Sequence, residues 1–223
     1  MKNLCLFDLD HTLLPLDSDH EWGEFMVRVG WADAENFRQR NDSFYRQYQE
    51  GVLDLNAYIE FSTSTWRHRT HDEQRAMHQR FMREVVEPGI RPQALALVRE
   101  HQQRGDLVAV VTATNEFVTA PIAAAFGVSH LLAVRLKRDA HGRVTGAIDG
   151  VPTFQSGKIT RVEQWLDAQG LSLAGFDRVS FYSDSMNDLP LLERATDPVA
   201  TNPSPPLEAI AHARGWRILK LFA

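Results

Sequence analysis

The sequence predicts an open α/β sheet with a helical segment inserted after its first strand. Two observations carry this reading. Apolar runs at Leu4–Asp8, Leu107–Thr112 and Arg178–Ser183 read as buried parallel strands, the first two aliphatic on both faces. Helical signals separate them, and strands alternating with helices make an open sheet. The helices expected in the alternating part are Pro92–Arg104, Glu116–Phe126, Lys158–Gln169, Leu189–Arg194 and Pro205–Arg214, with Ser204 as a candidate N-cap of the last. Val199–Ala200 and Trp216–Leu219 are shorter strand candidates, and Leu131–Ile148 reads as a β-hairpin turning at Asp139–Gly142.

Residues 15–90 break the alternation. Trp22, Phe25, Met26 and Val29 fall on one helical face, Phe37, Phe44 and Tyr48 continue with helical spacing, and Tyr58 and Phe61 form a third face. Met77, Phe81 and Val85 follow i, i+4, i+8. The segment holds 11 of the 21 aromatic residues and all of the net charge of −5. It reads as a small helical bundle of 15–90, set between core segments 1–14 and 91–223.

Composition narrows the function. A chain of 223 residues with 43% hydrophobic and 24% charged residues is ordinary globular material. A net charge of −5 has the wrong sign for binding nucleic acid or an anionic membrane. No apolar run is long enough to span a bilayer, and the first residues, MKNLCLFDLD, do not read as a secretory signal. One cysteine cannot build a disulfide framework, and Cys5 reads as inert core. The expected setting is the cytoplasm.

Several motif-like stretches fail on spacing. Gly150 and Gly157 stand too far apart for a P-loop, and Ile159 follows Lys158 where Ser or Thr is needed. Asp8, Asp10 and Thr12 begin like a calcium loop, but Leu13 stands where the turn needs Gly. His68 and His71 lack a third ligand and read as a solvated helix face.

One constellation survives. Asp8 and Asp10, at the carboxyl end of the first strand, are two residues apart and share one face of an extended chain. Open α/β sheets bind ligands at that end. Two nearby carboxylates repel unless a cation or a shared proton relieves them. Thr112 ends the second strand with a hydroxyl. Lys158 opens a helix, in a chain with only four Lys against twenty Arg, which suggests a need for a compact point charge. Asp184 and Asp188 follow the third strand, where a turn can bring both back over its end. Carboxylates, a hydroxyl, a lysine and a carboxylate pair suited to Mg²⁺ match phosphoryl transfer through an aspartyl phosphate. Transfer to an alcohol acceptor and a catalytically silent phosphoryl-binding module are the competing readings.

The four motifs, LFDLDHTLL, VVTATN, QSGKIT and FYSDSMNDLPLL, resemble those of the haloacid dehalogenase superfamily. The inserted helices resemble the C1-type cap of its phosphoserine-phosphatase-like branch, subfamily IB. The resemblance implies a Rossmann-like core and a Mg²⁺-dependent phosphatase acting on a small phosphomonoester. It implies Asp8 as nucleophile, with Asp10 as acid and then base. It implies Asp8, Asp184 and the Asp10 carbonyl as Mg²⁺ ligands, and Thr112 and Lys158 on the phosphoryl oxygens. Asp188 would anchor Lys158, and Asn187 would reach toward the phosphate. Phosphoserine enzymes of this branch hold their substrate with a Glu and an Arg from the cap. Here Asp17 stands near the Glu position, and no Arg occurs between Arg46 and Arg67. An acidic, aromatic cap opening with Asp17, Asp19, His20 and Glu21 suits histidinol phosphate, which some members of the branch hydrolyse. The same acids also suit the start of a helix.

Overall fold

Alternation along the first strand decides the architecture. Leu4 and Leu6 face one side, Cys5 and Phe7 the other, and all four are buried. A strand buried on both faces needs a helical layer on each. The computed structural model, which describes residues 2–222, has this arrangement. In chain order, β1 (Asn3–Phe7) is followed by α1 (Ser18–Arg28), α2 (Ala34–Gln49), α3 (Leu55–Ser64), α4 (His71–Phe81) and the short α5 (Glu87–Gly89). Next come α6 (Pro92–Gln103), β2 (Leu107–Asn115), α7 (Glu116–Ala125), β3 (His130–Val134), β4 (Leu136–Arg138) and β5 (Val144–Ile148). The chain ends with α8 (Gly157–Asp167), β6 (Arg178–Ser183), α9 (Leu189–Leu192), β7 (Asp197–Thr201), α10 (Pro205–Arg214) and β8 (Arg217–Leu219).

Six strands form one sheet in the order β3-β2-β1-β6-β7-β8. Every neighbouring pair in it is parallel. On one face, Leu4, Leu6, Val179 and Phe181 pack with Val162, Leu166, Leu191 and Leu207 from α8, α9 and α10. On the other, Cys5, Phe7, Val108 and Tyr182 pack with Val98 of α6 and Val118 and Ile122 of α7. Burying each such large side chain contributes about 1.5–3 kcal/mol. The chain leaves β1 toward β2 and β3 on one side, then returns to β6, β7 and β8 on the other. β1 therefore lies at the switch point, where open parallel sheets place their ligands.

The segment between β1 and α6 is helical, for local reasons. Asp17, Asp33 and Asp54 cap α1, α2 and α3 by accepting backbone N–H groups, and Thr70 with Glu73 forms a capping box on α4. Each cap contributes about 1 kcal/mol. Aromatic packing then joins the helices: Phe37 stacks on Phe61 at 4.4 Å and Trp22 meets Phe81 edge-on at 5.0 Å. Phe117 of α7 ties the segment to the sheet layer, stacked on Trp66 at 3.8 Å and on His78 at 4.6 Å.

The structure corrects several local expectations. Only β4 and β5 form the hairpin; the first half of the expected arm, His130–Val134, joins the edge of the main sheet. Its apolar Leu132, Ala133 and Val134 are buried there, and a parallel edge is indistinguishable from a hairpin arm by pattern alone. β2 continues to Asn115, past the expected end at Thr112. Ser204 occupies the N-cap position of α10, but its hydroxyl makes no capping bond. The run Met77, Phe81, Val85 loses phase at a π-turn over Met82–Val86, where a wider turn buries Val86 in place of Val85. His68 lies in a turn and His71 begins α4; both are exposed and they share no helix. Cys5 is fully buried, and burial pushes its thiol well above the usual range.

Candidate active site

Asp8 is the first residue beyond β1. Its N–H donates to the Tyr182 carbonyl at 2.9 Å, so the β1–β6 ladder runs up to the carboxylate it presents. Lys158, in the first turn of α8, donates to Asp8 Oδ1 at 2.8 Å and to Asp188 Oδ2 at 2.7 Å. The lysine is 1% exposed and Asp8 is 4% exposed. Burial alone would lower the Lys158 pKa, but Asp188 and Asp8 outweigh it and hold the ammonium above the usual lysine range. Ser183 Oγ donates to Asp188 at 2.7 Å, fixing the carboxylate that fixes the lysine. Gly157 makes the approach possible: a Cβ there would lie 2.2 Å from the Pro152 carbonyl oxygen.

Asp184 is brought to Asp8 by a residue to which sequence reasoning gave no role. Thr12 Oγ1 lies 3.2 Å from Asp8 Oδ2 and 3.2 Å from Asp184 Oδ1, and accepts the Asp184 N–H at 3.1 Å. A hydroxyl carries one hydrogen, so it donates to one of the two carboxylates at a time. Burial, then Asp8 and Asp188, push the Asp184 pKa well above the usual range. A buried carboxylate, Asp8, and a half-buried one, Asp184, on one shared hydroxyl are a fitting seat for a hard cation. Among the described residues no group of three His, Cys, Asp or Glu side chains is placed to hold a metal ion by itself.

Asp10 sits opposite. Its carboxylate accepts the Ser18 N–H and the Thr114 hydroxyl, each at 2.8 Å. Burial and the neighbouring Asp17 raise its pKa to about 6, against the pull of those two donors. Thr112 and Thr114 are two apart on β2 and both line the same cavity, so strand alternation is the signal that would have pointed to Thr114. The Thr112 hydroxyl accepts the Thr114 N–H at 3.1 Å. Asn202 Nδ2 donates to the carbonyls of His11 and Thr12, holding the loop after β1. Nothing in its sequence context marks Asn202.

The remaining candidates fall in different places. Asn187 turns to the helical segment, where its Nδ2 donates to the Tyr48 carbonyl at 2.8 Å. Asp17 caps α1 through Oδ1, accepting from Asp19 and His20, and it also lines the cavity. His20 lines the cavity too, pairing with Asp42 at 2.9 Å and packing on Tyr45 at 5.0 Å. Asp19 is buried beside Asn115, whose Nδ2 donates to it at 3.3 Å. Glu21 is half-buried and does not line the cavity. The cavity, about 40 Å³, lies between Asp8, Asp10 and Thr112 on one side and Phe44, Tyr45, Tyr48 and Tyr58 on the other.

Comparison with known proteins agrees with this geometry. Residues 5–193 match the family model for haloacid dehalogenase-like hydrolases. The chain is 41% identical to the histidinol-phosphatase of Neisseria meningitidis serogroup C (strain 8013), over 98% of this chain and 99% of that one. A crystal structure of a protein of unknown function from Bordetella pertussis Tohama I superposes with a TM-score of 0.94 at 50% identity, covering 100% of both chains. A substrate-bound phosphoserine phosphatase shares the fold, with a TM-score of 0.68 at 20% identity over 98% of this chain and 93% of that one. With Asp8 beyond β1, Thr112 on β2, Lys158 on α8 and Asp184 beyond β6 meeting at one sheet end, the chain belongs to the haloacid dehalogenase-like hydrolase family.

Proposed function

We propose that this phosphatase is a Mg²⁺-dependent histidinol-phosphate hydrolase working through a phosphoryl group carried on Asp8. The observation that carries the substrate is the lining of the cavity. It presents Asp8, Asp10, Asp17 and Asp19, four aromatic rings and no Arg or Lys. Histidinol phosphate has an ammonium and an imidazole and no carboxylate, so it leaves no anion beyond its phosphate to neutralise. Phosphoserine has a carboxylate, for which this lining offers no strong cation. Similarity over the full length to a histidinol-phosphatase supports the same reading.

In the proposed reaction an Asp8 carboxylate oxygen bonds to phosphorus as the ester P–O bond breaks. Asp10 gives a proton to the departing alkoxide. Asp10 then takes a proton from water, whose oxygen attacks phosphorus; inorganic phosphate leaves and Asp8 is restored. Lys158 and the Thr112 hydroxyl hold the phosphoryl oxygens, and Asp188 holds Lys158. Mg²⁺, held by Asp8, Asp184 and the Asp10 carbonyl, would neutralise charge on the transferring group. Segment 15–90 serves as a cap over the core formed by 1–14 and 91–223; the end residues Met1 and Ala223 lie outside the described structure. The proposed setting is the cytoplasm, and no helix among the described residues is long and apolar enough to cross a membrane.

The test is phosphate release from histidinol phosphate, phosphoserine, sugar phosphates and nucleotides, with Mg²⁺ or chelator, using Asp8→Asn as control. The expected result is chelator-sensitive turnover of histidinol phosphate well above the rest and none in the variant. Preference for phosphoserine overturns the substrate; turnover by Asp8→Asn overturns the mechanism.

A further inference from the structure

The cavity over Asp8 is too small for the substrate just proposed. About 40 Å³ holds a water molecule or so, against several hundred Å³ for a metabolite site. The helical segment must move before a phosphomonoester enters, so whatever holds it down governs access.

Three core loops reach the carboxyl-terminal end of α2. His11, after β1, has Nε2 3.1 Å from the Tyr45 hydroxyl. Asn187, after β6, donates from Nδ2 to the Tyr48 carbonyl at 2.8 Å. Gln155, just ahead of Lys158, donates from Nε2 to the Gly51 carbonyl at 3.0 Å and lies 3.4 Å from Asn187 Oδ1. Tyr45 and Tyr48, the residues held, line the cavity. Gly51 follows α2 with a left-handed φ of +74°, a conformation that glycine adopts readily.

Backbone strain singles out Gln155. Its φ is +48°, a left-handed conformation that Gly or Asn adopts more readily than Gln. Gly has no side chain to donate with, and the Asn amide is one methylene shorter. Among these three, Gln supplies the amide at the reach this contact uses. His11 is likewise left-handed, at φ +55°.

We propose that Gln155 is a positioning residue, the centre of a three-point catch that holds the end of α2 over the reaction centre and so sets affinity for the correct substrate. The inference rests on the cap reading of segment 15–90. Gln155 touches neither phosphate nor leaving group; it acts through Asn187 and α2.

Gln155→Gly is the decisive variant, because it removes the amide while relieving the left-handed strain. Two readouts are needed. Hydrogen exchange of the Gly51 and Val52 amides, which close the end of α2 onto Tyr48 and Gln47, is expected to speed up about tenfold. In kinetics, KM for histidinol phosphate is expected to rise about tenfold with kcat little changed. Turnover of p-nitrophenyl phosphate, which lacks the cationic groups the cap would read, is expected to hold its kcat/KM. Gln155→Asn is expected to resemble Gln155→Gly. Unchanged exchange overturns the catch. Equal loss of kcat on both substrates also overturns it, since that would show Gln155 serving the Lys158 turn alone. If wild type does not hydrolyse histidinol phosphate, the substrate reading fails, and exchange still decides the catch.

Discussion

Lys158 and Asp8 stand 150 residues apart in sequence and 2.8 Å apart in space, with the ammonium nitrogen against Oδ1. The same nitrogen serves Asp188 at 2.7 Å. One buried cation thus joins the ends of two strands, and removing it strands two carboxylates. Lys158→Met is expected to lower turnover by about 10²-fold or more. It is also expected to destabilise the fold by about 3–5 kcal/mol. Phosphate release and urea melts measure the two separately, and stability equal to wild type would refute the second.

Gly157→Ala should reproduce part of that loss with every functional group retained. The added Cβ would lie 2.2 Å from the Pro152 carbonyl oxygen, so the turn must shift and carry Lys158 with it. A displacement near 1 Å at a reacting centre costs about 10²-fold. Activity equal to wild type in a folded Gly157→Ala protein would show that the turn relaxes without moving the lysine.

The carboxylate pair on Thr12 predicts a metal effect on stability as well as rate. Mg²⁺ should raise the melting temperature of the resting protein, because it relieves two neighbouring like charges, Asp8 buried and Asp184 half-buried, that share one hydroxyl. Asp184→Asn should shrink that rise and increase the Mg²⁺ concentration needed for half-maximal turnover. Thermal melts with and without chelator, and a Mg²⁺ titration of activity, give the answer. A melting temperature indifferent to Mg²⁺ would count against the seat.

Asp10→Asn is expected to slow both halves of the reaction while leaving substrate binding intact. The amide can still accept from Ser18 or Thr114, so the loop should hold. Loss of a positioned acid and base costs about 10²–10⁴-fold. Rapid-quench measurement of phosphoryl-enzyme should show slower formation and slower decay; unaltered decay would exclude Asp10 as the base toward water.

His78 predicts a pH dependence of stability away from the site. Burial holds its pKa below the usual histidine value of 6.5, with the ring stacked on Phe117. The unfolded chain therefore takes up the proton first as pH falls. Stability is full above the unfolded value and declines as pH drops through it toward the folded one. His78→Phe should flatten this slope between about pH 7.5 and 5.5. Melting curves across that range measure it, and equal slopes in the two proteins would refute the assignment.

The sheet was legible in the sequence because its evidence is local. LCLF and LVAVV are apolar on both faces, Asp8 and Asp184 fall just beyond the first and third strands, and Thr112 lies near the end of β2, which runs on to Asn115. The helical segment was legible for the same reason, through its periodic aromatics. The π-turn at Met82–Val86 was not, since an extra residue in one turn leaves no mark on composition. Nor was the edge strand His130–Val134, whose pattern fits a hairpin arm equally well until a partner strand is present.

By itself the sequence determined the α/β class, the helical insertion and the residue types gathered for the site, all properties of short stretches read against period and charge. Tertiary structure alone decided which side chains share atoms. The Thr12 hydroxyl is placed between Asp8 and Asp184, Thr114 is aimed at Asp10, and Asn187 is turned from the expected phosphate to Tyr48. Each depends on loops from distant strands meeting within hydrogen-bond range. Gln155 and Asn202 show the limit most plainly: their roles rest on left-handed backbone, at φ +48° and +46°, which only the surrounding fold imposes on residues that local preference would leave elsewhere.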